Sequence, residues 1–286
     1  MKDDAFPGLS VNPTLVLFTD LDGTLLDPET YSWEEAGEAL DLCRQRGVKV
    51  IPASSKTRAE MEILRDRISL PGPFISENGG GIFLPVTFGE EPPPGALADG
   101  DLWKWPQGTP YAVLRRALKE MGKELGYRLI GFSDMGIDRI ADLTGLDIST
   151  ARLAASREFD EPFLVDSPVN PDMSALRRAA EQRGLVIAEG GRFIHLQGRN
   201  DKGLAMQQLI FLYEKREGKV VSAALGDSPN DFSMLERADF PVLIRSKRDY
   251  PELIKRIPGL VVTRGEGPKG WNEAVLHILQ SRSEQV

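Results

Sequence analysis

Leu15-Val16-Leu17-Phe18-Thr19-Asp20-Leu21-Asp22-Gly23-Thr24-Leu25-Leu26-Asp27 is an apolar run that stops abruptly at two carboxylates and a Gly-Thr pair. Side chains alternate along a strand, so residues two apart share a side, and Asp20 and Asp22 leave its end together. A buried strand with such a polar tip predicts an α/β enzyme, because the site of that class lies outside the carboxyl ends of parallel strands. Like charges held this close repel unless a cation lies between them, and hard carboxylate oxygens suit Mg²⁺. An Asp-Gly pair alone is an ordinary turn. The whole Asp-x-Asp-Gly-Thr unit behind an apolar strand favours the metal-assisted reading.

The chain has 286 residues, 41% hydrophobic and 27% charged, which fits a globular protein of two domains or of one core with a large insertion. A net charge of −8 argues against non-specific nucleic-acid binding, which needs basic surface. The single cysteine, Cys43, cannot form an internal disulfide, as expected in a reducing cytoplasm, and its helical setting reads as packing. The acidic start and the lack of a long apolar run indicate neither a signal peptide nor a membrane span. Having only His195 and His277 argues against a multi-histidine metal site. Chemistry must rest on carboxylates, hydroxyls and lysines.

Outward from the first strand, Ser32 and Glu35 have capping-box spacing ahead of a helix that Gly47 stops. An apolar strand, Val48 to Ala53, ends in Ser54-Ser55-Lys56, and Thr57 with Glu60 predicts a second capping box for a helix to about Ile68. Phe74-Ile75-Ser76 and Ile82-Phe83-Leu84 flank Glu77-Asn78-Gly79-Gly80-Gly81, a hairpin-like signal. Residues 85 to 110 carry six prolines and suggest a boundary or long connection. Beyond them, helices are predicted near 110–125, 136–143, 149–156 and 171–183. Strands are predicted at 127–132 and 163–165, and as a hairpin of 185–188 with 193–196 around Glu189-Gly190-Gly191. This reads as an α+β unit of roughly a hundred residues inserted into the first domain. From Asp201 the first style resumes: a helix to Gly218, the strand Val220–Leu225, and finally a helix near 272–280.

Three apolar strands thus end in groups suited to phosphate chemistry: Asp20 with Asp22, Ser54, and Asp227. A parallel sheet would gather these ends on one edge. Asp227 could complete a carboxylate set with Asp20. Ser228 and Pro229 also read as N-cap and first residue of a helix whose free N–H groups face the site. Asn230 and Asp231 then fall in the first turn, where they hold the metal's waters or Lys202, or only complement the helix dipole. Lys202 opens a helix and would offset negative charge in phosphoryl transfer; by itself it would be surface charge. Ser54 could donate to a phosphoryl oxygen, or could satisfy backbone groups.

Asp20-Leu21-Asp22-Gly23-Thr24, Ser54, Lys202 and Gly226-Asp227-Ser228-Pro229-Asn230-Asp231 resemble, in order and spacing, the four motifs of the haloacid-dehalogenase superfamily of phosphotransferases. The resemblance implies an α/β fold: a Rossmann-like parallel-sheet core of residues 1–88 and 198–286, and an inserted α+β cap of the Cof type over 89–197. Five stretches are similar to the family of mannosyl-3-phosphoglycerate phosphatases: Ile51–Arg58, Phe74–Gly80, Gly131–Asp134, Arg157–Pro162 and Gly191–His195. The residues before Thr14 and the proline-rich segment depart from that family.

By this resemblance Asp20 is the nucleophile and Asp22 the general acid and base, with Ser54 and Lys202 holding the transferring group. Mg²⁺ would be bound by Asp20, by Asp22 through its backbone carbonyl, and by Asp227, with Ser228, Asn230 and Asp231 in support. The substrate would be a small phosphorylated sugar-glycerate, met by Ser55, Lys56, Arg58, Glu77, Asn78, Arg157, Arg192 and His195. Among these an arginine fork, Arg157 foremost, would match the glycerate carboxylate. Other sugar-phosphate phosphatases, of sucrose-phosphate, trehalose-phosphate or glucosyl-phosphoglycerate type, a phosphosugar mutase and a non-catalytic binding module remain as alternatives. Neither nucleic acid nor membrane is an expected partner, and the oligomeric state is not legible.

Overall fold

The computed structural model describes residues 13–166, 171–189 and 192–283. The chain runs β1 (Thr14–Thr19), α1 (Gly37–Gln45), β2 (Lys49–Pro52), α2 (Arg58–Ile68), β3 (Phe74–Ser76), β4 (Gly81–Pro85), β5 (Leu97–Asp99) and β6 (Leu102–Pro106). It continues with α3 (Tyr111–Leu125), β7 (Arg128–Gly131), α4 (Ile137–Thr144), α5 (Ile148–Ala154), β8 (Asp160–Asp166), α6 (Met173–Glu181), β9 (Val186–Glu189) and β10 (Ile194–Gln197). Then follow α7 (Lys202–Glu217), β11 (Val220–Gly226), α8 (Phe232–Leu235), β12 (Phe240–Arg245), α9 (Pro251–Arg256), β13 (Val261–Glu266) and α10 (Gly267–Ser283).

The core is a five-stranded parallel sheet in the order β13-β12-β11-β1-β2. The central strand β1 alternates its apolar side chains between two layers. Leu15 and Leu17 pack with Leu40, Cys43, Trp271 and Val275. Val16 and Phe18 face Met206, Leu209 and Tyr213. Both Phe18 and Val16 are fully buried, each such side chain contributing ~1.5–3 kcal/mol of transfer free energy. Burial pushes the Cys43 thiol up to about 12, so it packs as an inert apolar group.

A second sheet, β3-β4-β6-β5, is antiparallel and joins the core through the parallel Ala53–Ile75 bridge. Its Phe74, Phe83 and Leu102 enter one core layer and Ile75, Ile82 and Leu84 the other. The boundary expected after residue 88 therefore falls inside a hydrogen-bonded sheet, because β6 pairs back onto β4 and β5 onto β6. The third sheet, β7-β8-β10-β9, is the antiparallel sheet of the α+β cap. Helices α3 and α6 cover one face through Leu114, Met121 and Leu176, and α4 and α5 cover the other through Ile140 and Ala151.

The Thr57–Glu60 capping box forms as expected. The Ser32–Glu35 box does not: Ser32 Oγ accepts from the N–H of Glu34 at 3.2 Å, and a single 3₁₀ turn at Glu34–Ala36 precedes α1. The cause lies just upstream, where Ser32 gives its carbonyl to the N–H of Asp27 (2.9 Å) and is held by that turn. Strands β9 and β10 pair as the expected hairpin, while Gly190 and Gly191 of its turn lie outside the described residues, as do residues 1–12. Strands β5, β6, β12 and β13 and helix α9 are additions to the elements expected from sequence. Among the described residues no helix is long and apolar enough to cross a membrane.

Candidate active site

The register Thr19↔Leu225 continues as a bond from the N–H of Asp20 to the carbonyl of Leu225 (2.9 Å), which sets the ends of β1 and β11 side by side. Asp20, Asp227 and Asp231 consequently each bring a carboxylate oxygen within 4.8 Å of the other two. Lys202, the first residue of α7, is fully buried among them; its Nζ donates to Asp20 Oδ1 at 2.6 Å and to Asp231 Oδ1 at 2.7 Å. Burial opposes the lysine's charge, but the two carboxylates more than offset this and hold its pKa above the ordinary value. Asp20 is pushed well above the ordinary carboxylate range by burial first and by Asp231 next, against the pull of Lys202. Asp227 is pushed up to about 6, again by burial and then by Asp231.

Asp231 accepts the N–H groups of Asp227 and Ser228 on Oδ2, both at 3.1 Å, and thus braces the loop from inside. It forms the capping box with Ser228, and Pro229 takes the first helical position. Gly23 is required at the site: its φ is +78°, and a Cβ there would lie 2.9 Å from Asp227 Oδ2. The donor set suits a hard divalent cation, being all carboxylate oxygen, with two of the acids kept reluctant to ionise by burial and then by the repulsion of Asp231, which a cation would relieve. The Asp22 carboxylate stands outside this group and pairs with Lys56 Nζ at 2.8 Å, while its buried Oδ1 has no hydrogen-bond partner.

Beside Asp22 a cleft of about 230 Å³ opens between core and cap. Of the residues named from sequence, Asp22, Ser55, Lys56, Arg157, Arg192 and His195 line it. Burial lowers the charge preference of Lys56, but Asp22 and Glu60 outweigh it and raise its pKa. His195 Nδ1 lies 2.8 Å from the buried Asp160 Oδ2, which fixes the ring against the cap sheet. Arg157 is committed to protein: it donates to the carbonyls of Ala154 and Ser55, each at 2.9 Å, and lies 3.4 Å from Asp160 Oδ2.

Three expected substrate contacts lie elsewhere. Arg58 pairs with Glu62 and Asp99 and stacks on Phe83, since α2 turns it toward the second sheet. Glu77 is fully buried at the junction of core and cap, where its carboxylate accepts the N–H groups of Glu158 (3.0 Å) and Phe159 (2.8 Å). Asn78 accepts from Asn230 Nδ2 at 3.1 Å, tying the β3–β4 turn to the loop after β11. Ser54 is buried at the tip of β2, and its Oγ accepts from the N–H of Lys56 at 3.3 Å.

Two positioning groups escaped the sequence reading. Trp271 Nε1 donates to Thr19 Oγ1 (2.9 Å), which itself donates to the carbonyl of Asp20 (2.7 Å), so α10 steadies the backbone of the strand tip. Asp160 is the other; its sequence signal was only its place in the polar stretch Arg157–Pro162, which gave it no role of its own.

A family model for haloacid dehalogenase-like hydrolases matches residues 17–87. The chain is 38% identical over 269 residues to the glucosyl-3-phosphoglycerate/mannosyl-3-phosphoglycerate phosphatase of Methanococcoides burtonii, covering 92% of this chain and 97% of that one. It is 34% identical over 274 residues to the protein of the same name from Persephonella marina, covering 93% and 97%. The fold is similar to a haloacid dehalogenase-like hydrolase from Bacteroides thetaiotaomicron, with a TM-score of 0.62 at 17% identity over 93% of this chain and 100% of that one. On this evidence the chain belongs to the haloacid dehalogenase-like hydrolases.

Proposed function

We propose that the protein is a Mg²⁺-dependent phosphatase that cleaves a glycosyl-3-phosphoglycerate, mannosyl or glucosyl, to the glycosylglycerate and inorganic phosphate. The observation that carries this reading is Lys202, buried and bonded to Asp20 and Asp231 beside Asp227, at the strand tip whose next acid, Asp22, lines the cleft under the cap. The names of the two relatives support the substrate class.

In the proposed reaction an oxygen of Asp20 attacks phosphorus and the ester oxygen departs, leaving an aspartyl-phosphate. Asp22, on the cleft side, gives its proton to the departing alkoxide and then takes one from the water that hydrolyses the acyl phosphate. Lys202 keeps Asp20 in place and balances charge as the phosphoryl group arrives. Ser54 and the loop after it cradle the phosphoryl oxygens. Asp20 and Asp227 would hold Mg²⁺, with the backbone of Asp22, and the ion would supply the charge neutralisation that lets a phosphate dianion approach carboxylates. The cap elements from α3 to β10 would close over the sugar-glycerate and select it.

Phosphate release from mannosyl- and glucosyl-3-phosphoglycerate, sucrose 6-phosphate and a hexose 1-phosphate tests the proposal. The glycosyl-phosphoglycerates should turn over at least tenfold better in kcat/KM than the others, with Mg²⁺ and without a bisphosphate activator. Turnover should stop in EDTA and return with Mg²⁺. Conversion of the hexose phosphate to its isomer without phosphate release would indicate a mutase and overturn the reading.

A further inference from the structure

The loop between β1 and α1 holds an aromatic residue in a backbone conformation that side chains avoid. Tyr31 has φ +57°, in the left-handed region, where bulky residues are rare and strain often marks function. Its surroundings over-determine that conformation. Asp27 Oδ1 accepts from the N–H of Glu29 (3.0 Å), the N–H of Thr30 (2.7 Å) and Thr30 Oγ1 (2.9 Å). The Tyr31 N–H donates to the carbonyl of Asp27 (3.0 Å), and the Asp27 N–H to that of Ser32 (2.9 Å). The result is an aromatic residue, 41% exposed, on the core side of the cleft, with Lys56 Nζ 5.0 Å from its ring centroid.

Lys56 in turn holds Asp22 at 2.8 Å, so the ring stands just beyond the group assigned to the leaving oxygen. The other cleft aromatics, Phe132 and Phe193, belong to the cap and pack edge to face on each other with centroids 4.9 Å apart. Arg192 and His195 supply polar groups on the opposite wall. A sugar has apolar C–H faces and a hydroxyl rim, which an aromatic face beside charged groups complements. We infer that Tyr31 is a specificity-determining residue whose ring seats the glycosyl ring of the substrate; this rests on the glycosyl-phosphoglycerate reading above.

The test compares wild type, Tyr31→Ala and Tyr31→Phe on glycosyl-3-phosphoglycerate and on 3-phosphoglycerate, which lacks the sugar. In Tyr31→Ala the ratio of kcat/KM for the glycosylated over the bare ester should fall tenfold or more, chiefly through KM. Tyr31→Phe should retain the ratio within about threefold, because the face and not the hydroxyl acts. A ratio unchanged in Tyr31→Ala, whether both activities fall together or neither falls, overturns the assignment. So does a Tyr31→Phe ratio as low as that of Tyr31→Ala. If wild type itself shows no preference for the glycosylated ester, the substrate reading fails and the role of Tyr31 with it. A wild-type preference that survives Tyr31→Ala sinks only the latter.

Discussion

Lys202 holds two carboxylates from one buried position. Its ammonium is fully enclosed, and both bonded carboxylates, Asp20 and Asp231, are themselves buried. Removing one partner of such a group leaves uncompensated charge, which typically costs ~3–5 kcal/mol. Lys202→Met should therefore lower the urea midpoint markedly as well as abolish turnover; an unchanged midpoint would refute its bracing role. Asp20→Asn is the contrasting case. It removes a carboxylate that burial and Asp231 already make unfavourable, while Lys202 keeps Asp231, so the midpoint should hold. Turnover should drop by about 10⁴-fold or more, because an amide cannot attack phosphorus. Residual activity of a tenth would reject Asp20 as nucleophile. Asp20 was legible because it ends an apolar run, where local sequence exposes it, whereas Lys202 opens a helix and gained meaning only in company with Asp20 and Asp227. Trp271 and Tyr31 were not legible, because one acts on a residue far away in the chain and the other through a backbone angle.

The turn between β3 and β4 does more than reverse the chain. Glu77 and Asn78 both have left-handed φ, +46° and +52°, and the turn touches the loop after β2, the loop after β11 and the cap linker at once. The Glu77 carboxyl is pushed up to about 7 by burial, which outweighs Arg157 and the N–H of Phe159, with Asp160 adding to the rise. A carboxyl whose pKa is raised in the folded state stabilises fully below its unfolded value, near 4.5, and loses that contribution as pH rises through about 7. Wild type should thus lose on the order of 3 kcal/mol between pH 4.5 and 8 from this group, at ~1.4 kcal/mol per tenfold change in proton affinity. Glu77→Gln, fixed in the neutral form, should flatten that part of the profile; thermal unfolding of both proteins over pH 5–8 reads it. Parallel slopes would mean that Glu77 does not titrate in this range. At this scale the sequence showed the hairpin and the α2 cap, whose signals are local. It hid β5 and β6, because prolines and glycines around them read as a connection until β4 offers its edge.

Core and cap meet through a few defined bonds. Thr57 Oγ1 donates to the carbonyl of Leu153 (2.8 Å), Arg157 donates to that of Ser55 (2.9 Å), and Glu77 receives the N–H groups of Glu158 and Phe159. Two of these join the cap to the segment following Ser54, so the cap's seating and the phosphate-facing loop are mechanically one piece. Arg157 links the two by bonding Ser55 of the core as well as Ala154 and Asp160 of the cap. The sequence favoured it as a fork for the substrate's carboxylate, because an arginine beside polar residues in a cap looks like a ligand-binding group. Only the folded chain reveals that its partners are two carbonyls and Asp160. Arg157→Ala should accordingly lower kcat/KM by a similar factor, about tenfold or ~1.4 kcal/mol, for glycosyl-3-phosphoglycerate and for p-nitrophenyl phosphate. Arg157→Lys should recover part of both, by restoring a donor to Ser55 without the planar fork. If instead only the glycosylated substrate suffers and p-nitrophenyl phosphate is untouched, Arg157 meets the substrate directly, and the bonds to Ser55 and Asp160 must open when it binds.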